Sequence, residues 1–385
     1  MKRITSIDCT RGLVMIIMAL DHVRDLMHVN ALTQSPTNLA TTSPALFFTR
    51  WITHFCAPTF VFLSGISVFL SLNNTRNYSD TQNFLLKRGL WLIFLDLTVF
   101  NLPVFFDIHF SVIAFSILSA FGFGFIVLSF LLSLKPKTIG IIGLIIIVCH
   151  NSFSLIPFAD GSVLKMVLTP LFNQVAYPLG GRTLVIGYSP IPWMGIMFAG
   201  FGAGSIFTWD AEKRKKTLIR IGCFALLAFA VVRAINIYGD SFPWAQQKNS
   251  LFTFLSFINI TKYPPSLDFC LVTLGTMCLW LALFEGRSNR FTRILDVYGK
   301  VPLFYFIAHF YLIRILLIGL IFYQGFGFGD MLPGVNLGRP KALNGLGLTG
   351  TYLVWIFVVA VMYPICKWYG KYKATHPEKK WLRYI

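Results

Sequence analysis

Apolar runs about twenty residues long, separated by short basic segments or by segments rich in glycine and proline, recur along the whole chain. A helix needs roughly 20 apolar residues to cross a hydrocarbon layer of ~30 Å. Reading with that window predicts ten spans, near 11–29, 51–72, 88–106, 110–133, 138–156, 190–208, 217–237, 267–285, 301–323 and 349–369. No internal repeat or soluble region interrupts them. The pattern therefore predicts an all-α polytopic transmembrane bundle in which residues 1–385 form a single domain. The first apolar run, Leu13 to Leu20, passes into Asp21 and His22 rather than into a small-residue cleavage site, which predicts a retained span and not a signal peptide.

Composition agrees with the pattern. Hydrophobic residues make up 56% of the chain and charged residues 12%, and a soluble fold carries roughly twice that charged fraction. The expected location is an integral position in a bacterial inner membrane, with lipid as a partner. The excess of 33 Lys and Arg over 15 Asp and Glu is not a nucleic-acid footprint, because the basic residues sit in short loops between apolar runs. With the N-terminus cytoplasmic, 22 loop and tail cations fall on the inner side and seven on the outer. That bias predicts cytoplasmic termini and places Asp21 and His22 toward the outer half of the first span. The seven cysteines show no disulfide framework and no metal-ligand spacing such as C-x-x-C.

Ionisable residues inside spans need a partner or a water-filled cavity, so they mark candidate chemistry. Asp21, His22, Arg24 and Asp25 follow directly on an apolar run, and spacings of three and four bring them onto neighbouring helical turns. An imidazole beside a carboxylate can act as an oriented general base. An ion-pair cluster capping the outer end of the span accounts for the same residues structurally. His54 stands four residues before the helix-kinking Pro58, where its ring could meet carbonyls that the proline leaves free. Further in-span groups are Arg233, Asp268, His309 and Arg314, for which snorkelling or carboxylate pairing is the ordinary account of the arginines. Gly200 and Gly204 form a G-x-x-x-G spacing that predicts close helix packing. The outer segments, among them Tyr177–Arg182 and Asn259–Pro265, are rich in Gly, Pro, Asn and aromatic residues and are expected to bend and line a cleft.

Several blocks resemble a known family in order along the chain. Ile7-Asp8-Cys9-Thr10-Arg11-Gly12-Leu13 leading to Asp21-His22, Phe60-Val61-Phe62-Leu63-Ser64-Gly65, Thr261-Lys262-Tyr263-Pro264-Pro265-Ser266-Leu267 and Gly299-Lys300-Val301-Pro302-Leu303-Phe304-Tyr305 are similar to the heparan-alpha-glucosaminide N-acetyltransferase-like membrane proteins. The resemblance implies a transmembrane acyltransferase that moves an acetyl group from cytoplasmic acetyl-CoA, a co-substrate rather than a bound cofactor, to an extracytoplasmic acceptor such as a glycan amine or hydroxyl. Arg11 followed by His22 also resembles the arginine and histidine of the wider membrane acyltransferases.

On that reading His22, oriented by Asp21 or Asp25, is the first candidate base and His54 the second. Arg11, Lys215, Arg220, Arg290 and Arg293 are candidate contacts for CoA phosphates. Asn259, Lys262, Tyr263, Arg233 and His309 are candidate acceptor contacts. A proton-coupled transporter or a non-enzymatic scaffold would also place ionisable groups within spans, and a homodimer is open.

Overall fold

Nine of the ten predicted runs are helical over nearly their whole length in the structure, a computed structural model that describes residues 4–159 and 161–385. Lys2 and Arg3 of the charge comparison lie outside the described residues. The helices are α1 (Thr5–Met27), α2 (Pro44–Trp51), α3 (Cys56–Thr75), α4 (Tyr78–Leu95), α5 (Asn101–Phe105), α6 (Ile117–Leu131), α7 (Pro136–Cys149), α8 (Val163–Phe172), α9 (Pro190–Ala203), α10 (Ala211–Ile235), α11 (Ser250–Ile258), α12 (Leu267–Phe284), α13 (Arg290–Gly299), α14 (Pro302–Tyr323) and α15 (Leu348–Thr375). A 3-10 turn, Ile52–Phe55, joins α2 to α3, and a π-turn, Asp96–Phe100, joins α4 to α5. Three strands, β1 (Val112–Phe115), β2 (Val175–Leu179) and β3 (Arg182–Ile186), form one small sheet.

Helix starts follow from local chemistry. Proline, which lacks the N–H that a first turn leaves unpaired, opens α2, α7, α9 and α14. Asp210, Ser266 and Asn289 accept backbone N–H bonds as N-caps of α10, α12 and α13.

Eight helical stretches among the described residues are long and apolar enough to cross a membrane. The remaining two predicted spans are α1 and α6. Helix α1 has the length, 23 residues, but carries Asp8, Arg11, Asp21, Arg24 and Asp25. The run at 110–133 corrects the sequence expectation of a full helix, because Val112–Phe115 is extended and pairs with β3. The 15 residues of α6 rise only about 22 Å, with β1 preceding them in the chain. The outer segment around Gly180-Gly181, expected to bend as a loop, is a β-hairpin whose two glycines adopt φ of +53° and +78°, the left-handed values that a tight hairpin turn requires.

Small residues let the spans approach closely. A Cβ on Gly200 would lie 2.1 Å from the Phe62 carbonyl oxygen, and one on Gly65 2.1 Å from that of Met197, so α3 and α9 cross backbone to backbone as the glycine spacing predicts. Gly12 meets Leu295 and Gly299 meets Asp8 in the same way. This clamps α1 to α13, a short amphipathic helix within what the sequence presents as a basic inner loop. Helix α1 is the centre of the bundle, with Val14, Met15, Ala19 and Val23 fully buried. Helices α10 and α15 are peripheral and turn Phe224, Leu227, Val231, Leu353 and Ile356 outward, as a lipid-facing surface requires.

Candidate active site between two cavities

His22 projects from α1 toward α14, and its ring meets that of His309. His22 Nδ1 lies 2.7 Å from His309 Nε2, and His309 Nδ1 lies 2.8 Å from the carbonyl oxygen of Tyr305. A carbonyl can only accept, so His309 holds its proton on Nδ1 and its Nε2 accepts from His22 Nδ1–H. The neutral pair therefore leaves His22 Nε2 unprotonated. Phe310, with its ring centroid 4.1 Å from that of His22, and Phe306 at 6.1 Å edge-on pack the imidazole in place. His309 is fully buried and stacks on Tyr305.

His22 is a common wall of two cavities. One, of about 390 Å³, reaches from Asp21, His22 and Lys262 down past Met18, Ser64, Ser67 and Ser71 to Arg11, Thr81 and Arg88. On the orientation given by the basic-residue bias, those last three lie at its inner end. The other, of about 300 Å³, extends from His22 outward along Asp25, Ala31, Ser116 and Leu337. Tyr188, Ile117 and Phe306 line both. The sheet sets this wall: the parallel register of Phe115 with Ile186, continued by a bond from Gly187 N to Phe115 O, places Ser116 and Tyr188 side by side just beyond the strand ends. Asp96, in the π-turn, fixes Ser116 from behind by accepting its backbone N–H at 2.7 Å.

The two carboxylates expected to orient His22 are engaged elsewhere. Asp21 accepts from Arg24 at 2.6 Å and from Arg50 at 3.0 and 3.2 Å, and Asp25 accepts from Arg24 at 2.6 Å. The sequence suggests a carboxylate–imidazole pair because all four residues share one helix. In the structure Arg24 and Arg50 take the carboxylates, and a histidine 287 residues away takes the imidazole. Asp25 keeps a half-exposed side chain on the outer cavity. His54 lines neither cavity. The Ile52–Phe55 turn directs it to Phe269, at 5.5 Å between ring centroids, and its Nδ1 has no hydrogen-bond partner among the described residues.

The other predicted residues divide in the same way. Arg11 is at the inner end of the large cavity, bonded to Ser67 Oγ at 3.2 Å and to Asp8 at 3.3 Å. Lys215 and Arg220 on α10, and Arg290 and Arg293 on α13, line neither cavity, because those helices leave them exposed or half-buried on the outside of the bundle. Arg233 donates to the carbonyls of Ser256, Phe257, Asn259 and Phe242, and Asn259 donates to that of Thr37, so both brace outer loops. Tyr263 shares a hydroxyl bond of 3.0 Å with Tyr188 and packs behind the cavity wall. Lys262 enters the large cavity, and His309 stands behind His22 rather than facing an acceptor.

Sequence reasoning did not single out Arg88, Tyr188 or the serines of α3. Ser64, Ser67 and Ser71 recur at three and seven residues, a polar stripe on an apolar span, and that signal was available. Tyr188 carries no local signal.

An imidazole with an unprotonated nitrogen, held where two cavities meet, has the geometry to pass a proton between groups that enter from either cavity. A family model described as heparan-alpha-glucosaminide N-acetyltransferase, catalytic, matches residues 3–239, more than half of the chain. The matched segment contains His22, Arg11, Arg88 and Tyr188 and ends before Lys262 and His309. No curated protein matched the chain.

Proposed function

We propose that this chain, which belongs to the heparan-alpha-glucosaminide N-acetyltransferase family, transfers an acetyl group from acetyl-CoA in the inner cavity to an amine or hydroxyl acceptor in the outer cavity, with His22 as general base. The observation that carries the reading is the position of His22 as a wall shared by both cavities. Arg11 and Arg88 at the inner end are suited to the phosphates of CoA. From Arg11 to His22 the helix rises about 16 Å, a distance suited to an extended pantetheine arm, and the Ser64, Ser67 and Ser71 hydroxyls offer partners to its amides.

His22 Nε2 takes the acceptor proton as the new bond to the carbonyl carbon forms. The carbon–sulfur bond then breaks, and the same nitrogen returns the proton to the departing CoA sulfur. His309 positions the base: its Nε2 accepts from His22 Nδ1–H, which holds the tautomer that leaves Nε2 free and supports the imidazolium that forms, the part a carboxylate plays in a hydrolase triad. Asp25, Ser116 and Tyr188 are the polar groups within reach of an acceptor in the outer cavity.

The test is purified protein in detergent or nanodiscs, given radiolabelled acetyl-CoA and a panel of amino and hydroxyl sugars. His22→Ala is expected to lower kcat by about 10² to 10⁴ with KM little changed, the range for losing a general base. His54→Ala is expected to retain most turnover, since its ring lies outside both cavities. Full turnover by a folded His22→Ala protein would remove the base mechanism, and loss confined to His54→Ala would exchange the roles.

A further inference from the structure

Lys262 is 7% exposed and lines the inner cavity together with His22 and Asp21. Its ammonium lies 5.0 Å from the Tyr263 ring centroid and 5.9 Å from that of Tyr188, within range of cation–π contact. No described residue forms a hydrogen bond or an ion pair with it, although Asp21 stands on the same wall and is taken by Arg24 and Arg50. The Asp21 and Asp25 carboxylates act on Lys262 through space, but a charged group nine-tenths buried with no hydrogen-bonded anion is costly, and the loop that carries it is well anchored. Asp240 accepts from Thr261 N at 2.7 Å, Thr261 Oγ1 at 2.6 Å and Ser266 Oγ at 2.6 Å, and Ser266 N donates to Thr261 O at 3.0 Å. The loop is closed on both sides of Lys262, so the backbone from which the lysine enters the cavity is anchored. In a low-dielectric, pre-organised cavity such a cation stabilises negative charge that develops in the transition state far better than water does.

We propose that Lys262 is a catalytic residue of this site, an electrophile whose ammonium binds the oxygen of the acyl-thioester carbonyl as it gains negative charge. The proposal rests on the acyl-transfer reading above. As the acceptor nitrogen or oxygen bonds to the carbonyl carbon, the carbonyl π electrons move onto its oxygen, and a Lys262 Nζ–H donates to that oxyanion while His22 Nε2 takes the acceptor proton. When the carbonyl re-forms, the electron pair of the carbon–sulfur bond leaves with the CoA sulfur, which receives the proton from His22. Lys262 keeps its protons throughout, and the products are the acetylated acceptor and CoA thiol.

The probe is carboxymethyl-CoA, which carries a carboxylate where acetyl-CoA carries its acetyl group. Calorimetry on the full-length protein is expected to give at least tenfold tighter binding of carboxymethyl-CoA than of CoA. Lys262→Met should bind the two alike and lose about 10² to 10³ in kcat, as for loss of one oxyanion donor, with KM for acetyl-CoA little changed. Lys262→Arg should recover part of both the preference and the rate. Wild-type protein that transfers acetyl groups but does not prefer carboxymethyl-CoA, or a Lys262→Met protein that keeps kcat, overturns the role of Lys262 and leaves the acyltransferase reading standing. Wild-type protein that neither binds CoA nor transfers acetyl groups overturns both. Because the wild-type preference is measured without any substitution, a variant that fails to fold does not remove the test.

Discussion

Two residues adjacent in sequence, Asp21 and His22, carry different loads in the structure. Asp21 is a buried anion shared by Arg24 and Arg50, and removing it leaves the buried Arg50 without its carboxylate and Arg24 with Asp25 alone. Asp21→Ala is therefore expected to destabilise the fold by about 3–5 kcal/mol, the usual result of breaking a buried pair from one side, visible as a lower unfolding temperature in detergent. A variant that unfolds like wild type and loses only turnover would assign Asp21 to the chemistry instead. His309 presents the reverse case. It lines neither cavity, so His309→Ala should leave the KM for acetyl-CoA near wild type and lower kcat about 10- to 100-fold, less than His22→Ala. The loss reflects a base whose tautomer is no longer held, a part of the 10² to 10⁴ that a general base supplies. Equal turnover in His309→Ala and wild type would show that the hydrogen bond between the two imidazoles is not used.

At the scale of the element, the bundle depends on crossings that only glycine allows. A Cβ at position 200 would meet the Phe62 carbonyl at 2.1 Å, and backbone cannot swing aside as a side chain can. Gly200→Ala is expected to force α3 and α9 apart at a cost of about 1–3 kcal/mol, typical of overpacking. Since α3 carries the Ser64, Ser67 and Ser71 wall of the inner cavity, the variant should also raise KM for acetyl-CoA. Unchanged thermal stability and KM would mean that the two helices separate without strain. The β-hairpin shows how element identity escapes hydropathy: Val175–Leu179 and Arg182–Ile186 are too short to register as spans, yet the pairing of β3 with β1 takes Val112–Phe115 out of the helix and brings Tyr188 to the site.

Across the whole molecule, the fold takes up cations reckoned on both sides: on the inner side Arg214 pairs with Glu285 and Arg88 lines the large cavity. Arg50, Lys262 and Arg339, reckoned among the outer cations, are engaged or buried: Arg50 on Asp21, Lys262 in the inner cavity, and Arg339 on His28 O and Asn344. Reporter fusions after Lys137, Lys216 and Arg293 should report the cytoplasm, and those after Asn38, Lys248 and Asn336 the outside. A cytoplasmic signal at Lys248 would overturn the ten-span arrangement, and with it the assignment of the large cavity to the inner side.

What the sequence determined by itself is what local physics decides. Whether a twenty-residue run enters lipid depends on the transfer of its own side chains, and which side its loops occupy depends on their own charges. Nine of the ten helical runs and the unusual histidine at the end of the first one were therefore readable from one chain, and the charge bias gives a direction that the reporter fusions test. The family blocks were readable for the same reason, since each is a contiguous run. The tertiary structure alone decided which groups meet. His22 is paired with His309 from α14, Asp21 with Arg50 from α2, and the inner cavity takes Arg88 while leaving Lys215, Arg220, Arg290 and Arg293 on other surfaces. Those partnerships depend on the angles at which helices cross, which are set where one glycine meets another helix's backbone. Contacts of that kind join residues far apart in the chain, and no periodicity in either segment records them.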